Sequence, residues 1–179
     1  PGSAFGVTLE PGGVYRVSVR ATDGAVPANA GSFASAESSF TVVDAVAPSS
    51  ATGLAAAFAG APGEASLSWT APGDDGGQGA LGAGSQFLIQ HATWAAAAFE
   101  PGAAQVALAT SGVFPGQGVS TMLRGLPGGA TLYFRLWTVD DSGNVSPESG
   151  LAQAFLPLVA TRLVAVAPGE AFIGGAGKT

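Results

Sequence analysis

The sequence predicts an all-β fold: antiparallel β-sandwiches arranged in tandem. Three observations carry the prediction. Apolar residues alternate with small or polar ones at period two, the pattern of half-buried strands. Clusters of Gly, Pro, Asp and Asn separate these runs. A set of landmarks also recurs at nearly constant spacing along the 179 residues.

The strand-like runs come in order. Phe5, Val7 and Leu9 alternate first. Tyr15, Val17, Val19 and Ala21 follow, set against Arg16, Ser18 and Arg20. Leu67 and Trp69 alternate with Ser66, Ser68 and Thr70. Phe87, Ile89 and His91 form the next set, and Leu132, Phe134, Leu136 and Thr138 the last clear one. Turns are predicted at 10–13, 72–77 and 140–144. The only helix-forming run, Ala95 to Ala98, is shorter than a stable helix requires.

The repeat sets the organisation. Leu9-Glu10-Pro11-Gly12-Gly13 and a strand ending at Asp23 recur as Leu126-Pro127-Gly128-Gly129 and a strand ending at Asp140, 117 positions on. Ala45-Val46-Ala47-Pro48 recurs as Ala165-Val166-Ala167-Pro168, 120 positions on. Residues 1–44 therefore read as the C-terminal part of one sandwich, about three strands. Residues 45–157 read as a complete module, and 158–179 as a strand-like tail or the start of a further module. Two readings of the complete module's last strand stay open, one over Leu151 to Phe155 and one over Leu158 to Val164.

The complete module carries a linked set of motifs. Leu67-Ser68-Trp69-Thr70 leads into the Gly/Asp loop 72–77. The strand Phe87-Leu88-Ile89-Gln90-His91 follows, then the turn Leu126-Pro127-Gly128. The strand Tyr133-Phe134-Arg135-Leu136-Trp137-Thr138-Val139 closes in Asp140-Asp141-Ser142-Gly143-Asn144. Together these motifs resemble a bacterial fibronectin type III repeat, an immunoglobulin-like β-sandwich. The resemblance covers residues 47 to 157, and residues 4 to 44 resemble only the last three strands of the same or a related sandwich. It implies a core of Trp69, Phe87, Ile89, Phe134 and Leu136, and of Tyr15 in the first part, where a tyrosine after the Pro-Gly turn commonly makes a corner. In the complete module Leu132 takes the inward slot instead.

Composition excludes several functions. Charged residues are 10% of the chain, the net charge is −6, and the six basic residues are scattered. No basic patch is present to neutralise phosphates, so nucleic-acid binding is not expected, nor attraction to an anionic membrane surface. The absence of cysteine removes disulfide and thiolate chemistry. The most apolar stretch, Leu156 to Val166, is too short to span a bilayer and is interrupted by Pro157 and Arg162.

Candidate chemistry is sparse. His91, the one histidine, has no nucleophile motif near it and reads as a strand residue. Asp74-Asp75 and the set Asp140, Asp141 and Asn144 offer oxygens to calcium, but neither loop has the Asp-x-Asp-x-Asp-Gly spacing or the ligand count, and both read more simply as turns. No metal or cofactor is assigned. Gly174 to Thr179 lacks the first glycine of a phosphate loop, since Phe172 stands there. No carboxylate pair suits glycoside hydrolysis. Tyr133, Arg135 and Trp137 are predicted to point outward from their strand and, with Leu158, Leu163 and Val166, to form an interface. Trp137 also offers a stacking ring for carbohydrate. Trp94 is a further exposed aromatic.

These readings predict a non-enzymatic, bacterial, extracellular or cell-surface structural or adhesive module whose partners are neighbouring modules or copies of itself. Two alternatives remain. The tail 158–166 of one copy completes the half-domain of the next and builds a filament, or the chain is a carbohydrate-binding accessory module.

Overall fold

The computed structural model describes residue 9 and residues 13–32 and 38–158. Nine strands and one short 3-10 turn, Pro101–Ala103, make up the regular structure of these residues. Strand β1 (Val14–Val17) pairs antiparallel with β2 (Ser38–Thr41) as a two-stranded sheet. The remaining seven strands form two layers. One sheet has the order β3-β4-β7, with β3 Thr52–Phe58, β4 Ala65–Thr70 and β7 Gly118–Leu123. The other has the order β6-β5-β8-β9, with β5 Gln86–Ala92, β6 Val106–Ala109, β8 Ala130–Val139 and β9 Ala152–Leu156. All pairings within the two layers are antiparallel.

The core lies between the layers because period-two alternation gives each strand one apolar face. Leu67 and Trp69 of β4 face Phe87 and Ile89 of β5, and Leu132, Phe134 and Leu136 of β8. Ala152, Ala154 and Leu156 complete the wall on β9. Trp69 meets Phe87 edge-on, with centroids 5.1 Å apart at 74°. This is a favoured aromatic geometry, in which a ring's positive edge meets a negative face. Five of the six expected core residues thus lie in one cluster.

Tyr15, the sixth, does not. It is half-buried and stacks on Phe40, its cross-strand partner, at 5.7 Å. Among the described residues no second sheet covers the β1–β2 pair, so Val14, Val17 and Phe40 stay exposed. The missing side chain of Gly13 leaves room for the Tyr15 ring, which would lie 2.7 Å from a Cβ there.

Past the first half of β8 the ladder changes character. β9 pairs with residues 130–134 only. Beside the rest of β8 runs the segment 145–149, where two buried serines replace ladder carbonyls. Ser149 Oγ accepts the Leu136 N–H at 2.9 Å, and Ser146 Oγ accepts the Thr138 N–H at 2.8 Å. The three-residue spacing of the serines spans the two-residue spacing of the amides, so a kinked segment still satisfies the edge of β8. Of the two readings of the last strand, the structure has the one near Leu151 to Phe155. Leu163 and Val166 lie outside the described residues, as do Phe5 and Val7.

Candidate functional site

One end of the sandwich gathers acidic side chains from three segments distant in sequence. The first is the stretch leading into β3. The second is the loop after β4, and the third the turn after β8.

The loop after β4 is closed by its own backbone. Asp75 N–H donates to the Gln78 carbonyl, and Gln78 N–H to that of Asp75, both at 3.0 Å. A side chain at Gly73 would collide with the Gln78 backbone, so only glycine closes this loop. The entering stretch is stitched to the same loop: Gly76 N–H donates to the Ala47 carbonyl and Ser49 N–H to that of Gly76, each at 3.0 Å. Asp44 begins the stretch. It is 8% exposed, and its Oδ1 accepts the Val46 N–H at 3.0 Å.

The turn after β8 is built on Asp140, buried at 2% exposure. Its Oδ1 accepts the N–H groups of Ser142 at 3.0 Å and Asn144 at 2.7 Å. Its Oδ2 accepts Asn144 Nδ2 at 2.9 Å. Asn144 Nδ2 also reaches the Asp44 carbonyl at 3.4 Å, which ties the turn to the entering stretch. Asp141, next along, projects toward the loop 82–84. The bare backbone there admits it, since a Cβ at Gly82 would come within 2.6 Å of Asp141 Oδ2.

The result is a cluster in which carboxylate oxygens of Asp44, Asp74 and Asp141 lie within 4.8 Å of one another. Desolvation, reinforced by Asp141, Asp140, Asp44 and Asp75, raises the Asp74 carboxyl from 3.8 to about 6. Asp74 Oδ1 is buried and accepts no hydrogen bond. The sequence singled out the two loops but treated each alone. Asp44 was not singled out, and no local signal marks it: its role arises from a contact 100 positions away in the chain.

The raised carboxyl predicts a pH dependence. A carboxyl whose folded pKa exceeds its unfolded one binds protons more tightly when folded, so stability falls as pH rises between the two values. In metal-free buffer the protein is expected to lose stability from pH 3.8 to about 6 at this site. The effect is on the order of 1 kcal/mol, because a partly solvated carboxyl is screened. Asp74→Asn is expected to flatten that slope. Urea midpoints at pH 4.5 and 7 for both proteins check it, and equal slopes would refute it.

The same turn occurs a second time. Asp23 Oδ1 accepts the N–H groups of Ala25 and Asn29, and Asn29 Nδ2 donates to Asp23 Oδ2 at 2.8 Å. Asp23 N–H donates to the Asn29 carbonyl as Asp140 N–H does to that of Asn144. Isolated bridges Thr22–Ala30 and Val139–Val145 flank the two turns alike. The repeat read from the sequence is thus also a repeat of hydrogen bonds, with a loop two residues longer in the first copy.

The expected outward residues fall differently. Register pairs Trp137 with Leu88 and Arg135 with Gln90 on the outer face of the second sheet. Trp137 does face outward, outside the inter-sheet core, yet it is only 4% exposed. The expectation of an open aromatic is therefore corrected. The face is built over: Gln90 donates to the Ala98 carbonyl and accepts the Glu100 N–H, drawing that loop onto it. Arg135 donates to the Ser149 carbonyl and pairs with Glu148 at 3.4 Å. A ring so covered offers no face on which a sugar stacks. Tyr133 and Arg135 are half-buried, while Leu158 and Trp94 are exposed. His91 packs on Phe134 at 6.2 Å, and burial pushes its imidazole pKa down. Its ring makes no hydrogen bond among the described residues. No helix of the described residues is long and apolar enough to cross a membrane.

No family model matches the sequence, and no curated protein matches it either. Solved structures do. A Fn3-like protein from Clostridium thermocellum matches with 18% identity over 65% of this chain and 99% of that one, at a TM-score of 0.36. The FN1–FN3 domains of chicken CNTN1 match with 19% identity over 84% of this chain, at a TM-score of 0.50. This chain spans 45% of that chicken chain. The two-layer arrangement and the chicken neighbour share one fold, the fibronectin type III sandwich.

Proposed function

We propose that this fibronectin type III fold serves as a non-catalytic structural module in a tandem array of a longer bacterial surface protein. The observation that carries the reading is the recurrence of the Asp–Asn turn. Asp23 with Asn29, and Asp140 with Asn144, repeat the same hydrogen bonds at nearly one module's spacing. In the second copy, the asparagine also grips the stretch that enters the module. A turn that both closes one module and holds its incoming linker suits a chain whose task is to fix module after module in line. The one histidine sits on an aromatic ring with no nucleophile hydrogen-bonded to it, which favours a non-enzymatic role. The low content of charged residues, 10%, suits surfaces that lie against neighbouring protein.

Negative-stain microscopy and mass measurement of the native material, with fractionation of the cells, test this reading. Single elongated particles from the cell surface, with a parent mass several times 17.3 kDa, are expected. Regular filaments built of the short chain would replace it with the strand-exchange polymer. A 17.3 kDa monomer confined to the cytosol would overturn both.

A further inference from the structure

We propose that Asp44, Asp74 and Asp141 form a binding site for a divalent cation of the calcium class, which pins the entering stretch to the two loops at the head of the sandwich. The spacing fits without rearrangement. Two oxygens on opposite sides of a calcium ion, each about 2.4 Å from it, lie about 4.8 Å apart. The three carboxylate oxygens lie within that limit of one another. The donors are all hard carboxylate oxygens, with no imidazole or thiolate among them, which selects calcium or magnesium over zinc. They come from three separate segments and so make an irregular cage. Calcium accepts that geometry, whereas magnesium demands a near-ideal octahedron.

A second observation points to a ligand independently of the clustering. Asp74 Oδ1 is shut off from solvent and yet accepts no hydrogen bond, and a buried acceptor without a donor calls for a partner. Asp44 is more than nine-tenths buried. One of its oxygens takes the Val46 N–H, and the other has no hydrogen bond among the described residues. The buried carboxylate of Asp44 and the partly buried one of Asp74, beside a third from Asp141, have no cation among them to offset their charge. A bound cation supplies the missing charge and the missing partner together. Asp141 is exposed, which leaves the open side of the site to water as the remaining ligands.

The site stands whether or not the parent chain is a tandem array, so its test uses neither particle shape nor cell location. The whole chain is freed of metal with EGTA, exchanged into plain buffer and titrated with CaCl2 by calorimetry and by thermal unfolding, beside Asp74→Asn and Asp141→Asn. Saturable binding is expected, with Kd of about 0.1–1 mM, the range of extracellular calcium modules. The unfolding temperature of the wild type is expected to rise by several degrees, on the order of 5–10 °C at about 10 mM calcium. An equal concentration of MgCl2 is expected to do less. Each variant is expected to lose at least about tenfold in affinity while folding normally without calcium. Asp141 serves as the safe variant, since its side chain bears no hydrogen bond or ion pair among the described residues. Absence of saturable binding by the wild type up to about 10 mM would overturn the proposal. So would calcium binding that Asp74→Asn and Asp141→Asn leave unchanged.

Discussion

Trp69→Ala is expected to reduce stability by about 3–5 kcal/mol and leave the two-layer sandwich largely unfolded at 37 °C. Trp69 is 3% exposed, on the central strand of its sheet between β3 and β7. It packs edge-on against Phe87 of the opposite sheet. Truncation there removes the largest side chain joining the layers and leaves a cavity that flanking strands cannot close, because both are held in register by β4. Trp69→Phe separates size from polarity. Trp69 Nε1 is buried and donates to nothing, so the phenyl ring discards an unsatisfied donor while keeping most of the aromatic contact. Its expected cost is about 1.5 kcal/mol or less. Urea unfolding followed by far-UV circular dichroism reads both. A midpoint for Trp69→Ala within about 1 kcal/mol of wild type would show that the sheets are joined elsewhere.

That the tryptophan was legible in the sequence has a physical reason. Trp69, Phe87, Ile89, Phe134 and Leu136 each stand in an alternating run, and a strand with one apolar face has one way to bury it. Strands β3, β6 and β7 carried a weaker signal. Their alternation rests on small or mixed residues, as in Ala55-Ala56-Ala57 and Val106-Ala107-Leu108-Ala109, where the inward and outward positions differ little in hydrophobicity. Trp137 shows the limit of alternation: it predicted the outward direction correctly and the exposure wrongly. Exposure depends on what the rest of the chain lays over that face, and alternation along one strand does not encode it. Asp44 shows the same limit at the candidate site. Two of its three carboxylates stood in visible Asp/Gly loops, but the loops' meeting, and the third carboxylate, are properties of the tertiary fold. The recurrence of Asp23 and Asp140 was visible as spacing, and the structure gives that spacing its cause in a shared set of hydrogen bonds.

Burial decides how much that shared set is worth, and this makes Asp140→Ala the second large effect. Asp140 accepts three donors, the N–H groups of Ser142 and Asn144 and the side-chain amide of Asn144, while 2% exposed. Its loss strands those donors at the head of the sandwich, at an expected cost of about 3 kcal/mol or more. Asn144 is then no longer aimed at the Asp44 carbonyl, so the entering stretch loosens as well. Amide exchange at residues 42–48 is expected to rise together with the fall in global stability. Asp23→Ala removes the matching acceptor in a turn that is exposed to solvent, where water replaces each lost hydrogen bond. Its expected cost is small beside that of Asp140→Ala. Hydrogen exchange and urea unfolding of the two variants side by side check the contrast. Equal costs would mean that the turn's geometry, and not its burial, sets its contribution; unchanged exchange at 42–48 in Asp140→Ala would mean that the entering stretch is held by its bonds to Gly76 alone.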